Sequence, residues 1–92
     1  MKSTGKVGAL NLDQSQQFSR IVVDALKRVR QAKGVSQEKL AKTCGLSRSA
    51  VSMIESGDRN PTLFVCHALA AGLGVRLSKV IRDAENDGRP GK

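Results

Sequence analysis

The sequence predicts an all-α fold, a compact five-helix bundle, and three observations lead there. Apolar residues recur at helical spacing, as in Val22, Leu26 and Val29, while no stretch alternates apolar with polar as a strand would. Short punctuation separates the periodic segments: Gly34, Gly45, the run Ser56-Gly57-Asp58-Arg59, then Gly72 and Gly74. At 92 residues the chain has room for one small core, which short helices can share.

Residues 1–12 mix Gly, Ser, Thr and Lys without periodicity and read as a flexible arm. The first helix is expected to begin near Asp13 or Ser15 and to stop at Lys33, before Gly34, with Val22, Leu26 and Val29 as its buried stripe. Ser36 caps a second helix that runs to about Thr43, with Leu40 and Ala41 inward. Gly45 supplies the positive φ of a tight turn, and Ser47 caps a third helix ending near Glu55. Asn60 is expected to cap the fourth, with Pro61 at its first position, where a missing N–H costs nothing. That helix ends at Gly72 or Gly74. Leu77, Val80 and Ile81 mark a short fifth, and residues 85–92 read as a flexible tail, so the folded domain spans 13–84.

Charge narrows the function. The net charge of +8 favours a polyanionic partner, nucleic acid or an anionic surface. Proteins that bind single strands stack bases on aromatic platforms, and here only Phe18 and Phe64 are available, with no Trp or Tyr. Double-stranded DNA, contacted through polar side chains and phosphates, fits better. No apolar run reaches the roughly eighteen residues of a membrane span, and no helix sets a cationic face opposite a bulky apolar one. The N-terminus carries no secretory signal, so a cytoplasmic location is expected. His67 is the one histidine, and it sits in an apolar run without a nucleophile to serve, so neither an enzyme nor a cofactor is expected. Cys44, Cys66 and His67 lack a fourth ligand for a metal, and the cysteines read as reduced thiols filling small core positions.

The second and third helices are joined by a short turn containing Gly45, the signature of a helix-turn-helix. Closing those helices over a core requires Leu40, Cys44, Leu46, Val51 and Ile54 to be apolar and Ala41 to be small, and all of them are. The third helix has an unusual outer face: Ser47, Arg48, Ser49, Ser52 and Met53 lie opposite Val51 and Ile54, with short hydroxyls where long charged chains are the norm.

The segment Leu26–Ile81 resembles the Cro and phage-repressor, or Xre, class of regulators. The resemblance rests on G-V-S-Q-E-K-L-A at Gly34–Ala41, S-R-S-A-V-S-M-I-E at Ser47–Glu55 and G-D-R-N-P-T-L at Gly57–Leu63. Restriction-modification controller proteins look nearest in size and in the R-N-P loop. The resemblance implies a transcriptional regulator whose third helix enters the DNA major groove, about 12 Å wide, which explains a face of short polar side chains. Arg48 is then the candidate reader of a guanine, Ser49 and Ser52 weak readers, and Met53 a contact for a thymine methyl. Ser36, Gln37 and Ser47 at helix N-termini, with Arg59 and Asn60 in the following loop, are candidate phosphate contacts. Lys2 and Lys6 on the arm are more distant ones. In the family an Arg late in the first helix pairs with the Glu ending the third, and Arg30 and Glu55 match.

From Asn60 to Val75 there is no charged residue. Leu63, Cys66, Ala70 and Leu73 can face the core, which leaves Phe64, Val65, Ala68 and Ala71 for another surface. A helix apolar all round is buried all round, so that second face is expected to meet another copy in a homodimer. The expected function is a sequence-specific, dimeric regulator on a near-palindromic operator, without a small-molecule ligand. The rival reading is an antitoxin or protein-interaction module built on the same fold.

Overall fold

The computed structural model describes the backbone of residues 4–87 and the side chains of residues 13–86. Five helices follow one another: α1 (Thr4–Ala32), α2 (Gln37–Cys44), α3 (Arg48–Ser56), α4 (Leu63–Gly72) and α5 (Leu77–Asp87), with no strand among the described residues. The fold is all-α, and α2 with α3 forms the helix-turn-helix.

Two helices are longer than the sequence suggests. α1 starts at Thr4 rather than near Asp13 or Ser15. Gly5 and Gly8 weaken a helix but do not break one, and once nucleated a helix gains a hydrogen bond with each added residue. α5 continues three residues past Ala84, to Asp87, because the first breakers, Gly88 and Pro90, lie beyond it. Residues 1–3 and 88–92, the outer parts of the arm and tail, fall outside the described residues, as does Lys2.

Caps set most of the other boundaries. The Ser36 hydroxyl accepts from the Lys39 N–H at 3.0 Å, and the Ser47 hydroxyl accepts from the Ala50 N–H at 3.0 Å. Gly45 ends α2 at φ 74°, a left-handed conformation that a side chain would strain. α4 is the exception. Its cap is Thr62, whose hydroxyl accepts from the Val65 N–H at 3.1 Å, and not Asn60. Threonine is a competent cap in its own right, so the helix starts two residues later and Pro61 stays in the connection.

Val51 of α3 is fully enclosed at the centre of the core. Around it lie Val22, Val23 and Leu26 of α1, Leu40 and Ala41 of α2, Ile54 of α3, Leu69, Ala70 and Leu73 of α4, and Val80 and Ala84 of α5. Val29 is only half-buried. Where α4 crosses α2 there is no space for a side chain: a Cβ on Gly72 would stand 2.7 Å from Cys44 Sγ and 3.1 Å from Leu40 Cδ1.

Both cysteines are free and half-buried. The Cys44 thiol donates to the Ala68 carbonyl at 3.1 Å, and burial pushes the pKa of both thiols up. The thiolate is the reactive form, so a thiol reagent is expected to label the native protein slowly and the denatured protein fast. Equal rates in the two states would mean that neither thiol is shielded. Among the described residues no group of three or more His, Cys, Asp and Glu is placed to hold a metal ion.

Candidate nucleic-acid interface

Placing α3 at the surface begins with Glu55. This residue is buried at 7% exposure, as is Arg30 at 9%, and the two form a bidentate pair. Arg30 Nε donates to Glu55 Oε2 at 2.7 Å and Nη2 donates to Oε1 at 3.0 Å. The third guanidinium nitrogen, Nη1, donates to the Val35 carbonyl at 2.7 Å, just ahead of α2. Gln37 Nε2 donates to Glu55 Oε1 at 2.9 Å. One carboxylate thus joins α1, α2 and α3.

Burial alone would raise the Glu55 pKa. Hydrogen bonds from Arg30 and Gln37, with the positive charges of Arg30 and Lys27, outweigh it and hold the carboxyl below the usual range. The folded value lies below the unfolded one. The stabilisation is therefore complete above an ordinary glutamate pKa of about 4.3 and is lost as pH falls through the lower folded value.

With its inner side so fixed, α3 turns a short face outward. Ser47, Arg48 and Ser49 are exposed and Ser52 and Met53 half-exposed, while Ala50, Val51 and Ile54 are buried. Arg48 forms no ion pair among the described residues, so its fork remains available. At the other end α3 closes on Gly57 at φ 91°. Gly57 N–H donates to the Ile54 carbonyl at 3.2 Å and Asp58 N–H to the Met53 carbonyl at 2.9 Å, the double closure of a Schellman motif. Arg59 and Asn60 are exposed in the connection that follows.

The proposed phosphate contacts differ in how free they are. Ser36 is exposed at the start of α2, beside Lys39 and Lys42 in a shallow groove. Those two lysines were not singled out from the sequence, although their spacing on the face opposite Leu40 and Ala41 marks them. Gln37 is half-buried with its amide nitrogen bonded to Glu55. What it offers an anion is its remaining amide hydrogen and its backbone N–H in the first turn of α2. Lys6 lies on α1 outside the described side chains.

On α4 the surface differs from the sequence reading. Leu69, Ala70 and Leu73 are buried and Val65 packs against the core, so the helix turns Leu63, Phe64, His67 and Ala71 outward. Leu63, expected in the core, is 73% exposed, and Phe64 is 81% exposed. Of the four residues assigned to a dimer contact, Phe64 and Ala71 are exposed, whereas Val65 and Ala68 are half-buried. Leu63 also lines an apolar groove, together with Phe18, Pro61, Cys66 and Ile81.

A helix-turn-helix whose second helix is braced from behind and bare in front defines the class: a DNA-binding transcriptional regulator. The family model described as Helix-turn-helix matches residues 26–80, and the chain belongs to that family, of the Cro/C1 repressor-like type. It is a family of DNA-binding regulators rather than of enzymes. The chain is 40% identical over 63 residues to Control protein C.MunI from a Mycoplasma species, covering 67% of this chain and 85% of that protein. A mutant of the Restriction-Modification Controller Protein C.Esp1396I superposes with a TM-score of 0.75 at 28% identity, covering 82% of this chain and 97% of the other. The same controller, solved as a tetramer in complex with its natural 35 base-pair operator, gives a TM-score of 0.71 at 28% identity over 76% of this chain and 92% of the other. No single helix among the described residues is long and apolar enough to cross a membrane.

Proposed function

We propose that the chain acts in the cytoplasm as a homodimer on a near-palindromic operator, with α3 in the major groove of each half-site. The observation that carries this reading is the outer face of α3, where Arg48 stands exposed among short hydroxyls and, among the described residues, without an ionic partner. A bidentate arginine suits the O6 and N7 acceptors of guanine. Ser49 and Ser52 offer single bonds, and Met53 offers an apolar contact at the edge of the face. Ser36, Gln37, Ser47, Arg59 and Asn60 flank that face and fix the register through phosphates. The operator complex of the similar controller protein supports duplex DNA as the partner.

Arg48→Ala is expected to weaken binding to a selected operator by about 1–3 kcal/mol and to relax preference at one base pair per half-site. Sites selected by the mutant from a random library provide the check. If they match the wild-type sites at every position, Arg48 does not read a base. A protein-interaction module is the second reading, favoured by the exposure of Leu63 and Phe64. Such a module would show no steep salt dependence toward duplex DNA, whereas a DNA-binding protein loses affinity with each phosphate contact screened.

A further inference from the structure

Arg20 stands on α1 well upstream of Arg30, and no helix-turn-helix spacing marks it. Its Nη2 donates to Asp24 Oδ1 at 2.8 Å and to the main-chain carbonyl of Glu55 at 3.3 Å. The same guanidinium occupies the place where a Cβ on residue 57 would lie, so Gly57 lets it rest against the backbone. The carbonyls near the end of α3 need partners from outside the helix. Those of Met53 and Ile54 are taken by the N–H groups of Gly57, Asp58 and Arg59, and Arg20 supplies the next. α3 has no basic residue in its own last turn. The cation that its negative end favours therefore comes from α1.

Glu55 is thus held twice by α1, at its carboxylate by Arg30 and at its carbonyl by Arg20. Val51 and Ile54 hold the middle of α3 in the core and Arg30 holds the Glu55 carboxylate, and Arg20 adds an anchor on the main chain at the C-terminal end. We propose that Arg20 is a positioning residue for DNA recognition. It pins the C-terminal end of α3 and the start of the connection, so that the α3 face, Arg59 and Asn60 meet one DNA in register. The proposal rests on α3 being the recognition helix. Arg20 and Asp24 are 42% and 46% exposed at their side chains, so their pair adds little to stability. Recognition, rather than folding, is where removal should register.

Two readouts on Arg20→Ala and Arg20→Lys test this. In the free protein, amide exchange at Gly57, Asp58 and Arg59 should quicken about three- to tenfold in Arg20→Ala. Affinity for a selected operator should fall about fivefold, while affinity for random duplex falls by less than about twofold and its salt slope stays the same. Lysine keeps the charge but not the fork, so Arg20→Lys should fall between alanine and wild type on both. Unchanged exchange at those amides overturns the anchor, whatever the DNA data show. Equal losses on operator and random DNA, with a slope shallower by about one, would make Arg20 a phosphate contact instead. If wild-type protein ignores duplex DNA, the regulatory reading falls, and the exchange data still decide whether the anchor exists.

Discussion

Glu55→Ala is expected to lower the free energy of unfolding by about 3–5 kcal/mol, because it strands the Arg30 guanidinium in a buried site. A domain of this size has roughly 5–15 kcal/mol in all, so the variant will be close to its unfolding threshold at physiological temperature. The loss comes from the orphaned charge more than from any net attraction in the pair. Replacing both partners, Arg30→Met with Glu55→Met, should therefore restore most of the stability, since a buried ion pair often only breaks even against apolar groups of similar volume. Urea unfolding at neutral pH measures both. A single mutant that loses less than about 1 kcal/mol would show the pair to be solvated, against its burial. Acid offers a second check. The contribution of Glu55 disappears only below an ordinary glutamate pKa, so the gap between wild type and Glu55→Ala should stay level from neutral pH to about 5 and narrow below 4.

Phe64→Glu is expected to give a folded monomer whose affinity for operator falls by about a hundredfold or more, far more than its affinity for random duplex. At 81% exposure the side chain has almost no packing to lose, and surface substitutions of that kind usually stay within about 0.5 kcal/mol. Joining two α3 helices in one dimer lets the second bind at high local concentration, worth about 10²–10⁴ in avidity. In the proposed dimer they meet successive major grooves about 34 Å apart. Putting a carboxylate into that contact removes the linkage without touching either reading face. Sedimentation at micromolar concentration with circular dichroism is the measurement. A mutant that sediments as a dimer with native helicity would place the contact elsewhere, leaving Leu63 and Phe64 for another partner.

The α4 surface shows where the sequence stops informing. In α3 the phase is legible because Val51 and Ile54 alternate at helical spacing with Ser49, Ser52 and other polar groups. In α4 every turn is apolar, so the sequence carries no phase and does not mark which residues face inward. The packing of α4 on α2 settles it. Gly72 must lie against Cys44 and Leu40, which rotates Leu69, Ala70 and Leu73 into the core and turns Leu63 out. The extent of α1 was hidden for a different reason. Two glycines and a polar composition look like a loop, but helix propagation from an anchored segment tolerates both.

The sequence by itself determined the helix-turn-helix: Ser36, Gly45 and Ser47 set its boundaries through local backbone chemistry, and Leu40, Ala41, Val51 and Ile54 set its inner face through periodicity. Both signals lie within a few residues of where they act. Of what holds that unit in place, the family resemblance implied the Arg30–Glu55 pair, and the tertiary structure alone decided the rest. Arg20 reaches a carbonyl 35 residues away and Arg30 a carboxylate 25 residues away, and Gln37 turns back to Glu55 from the next helix. Contacts between residues so far apart depend on how whole helices cross, which is fixed by core volume rather than by any local pattern.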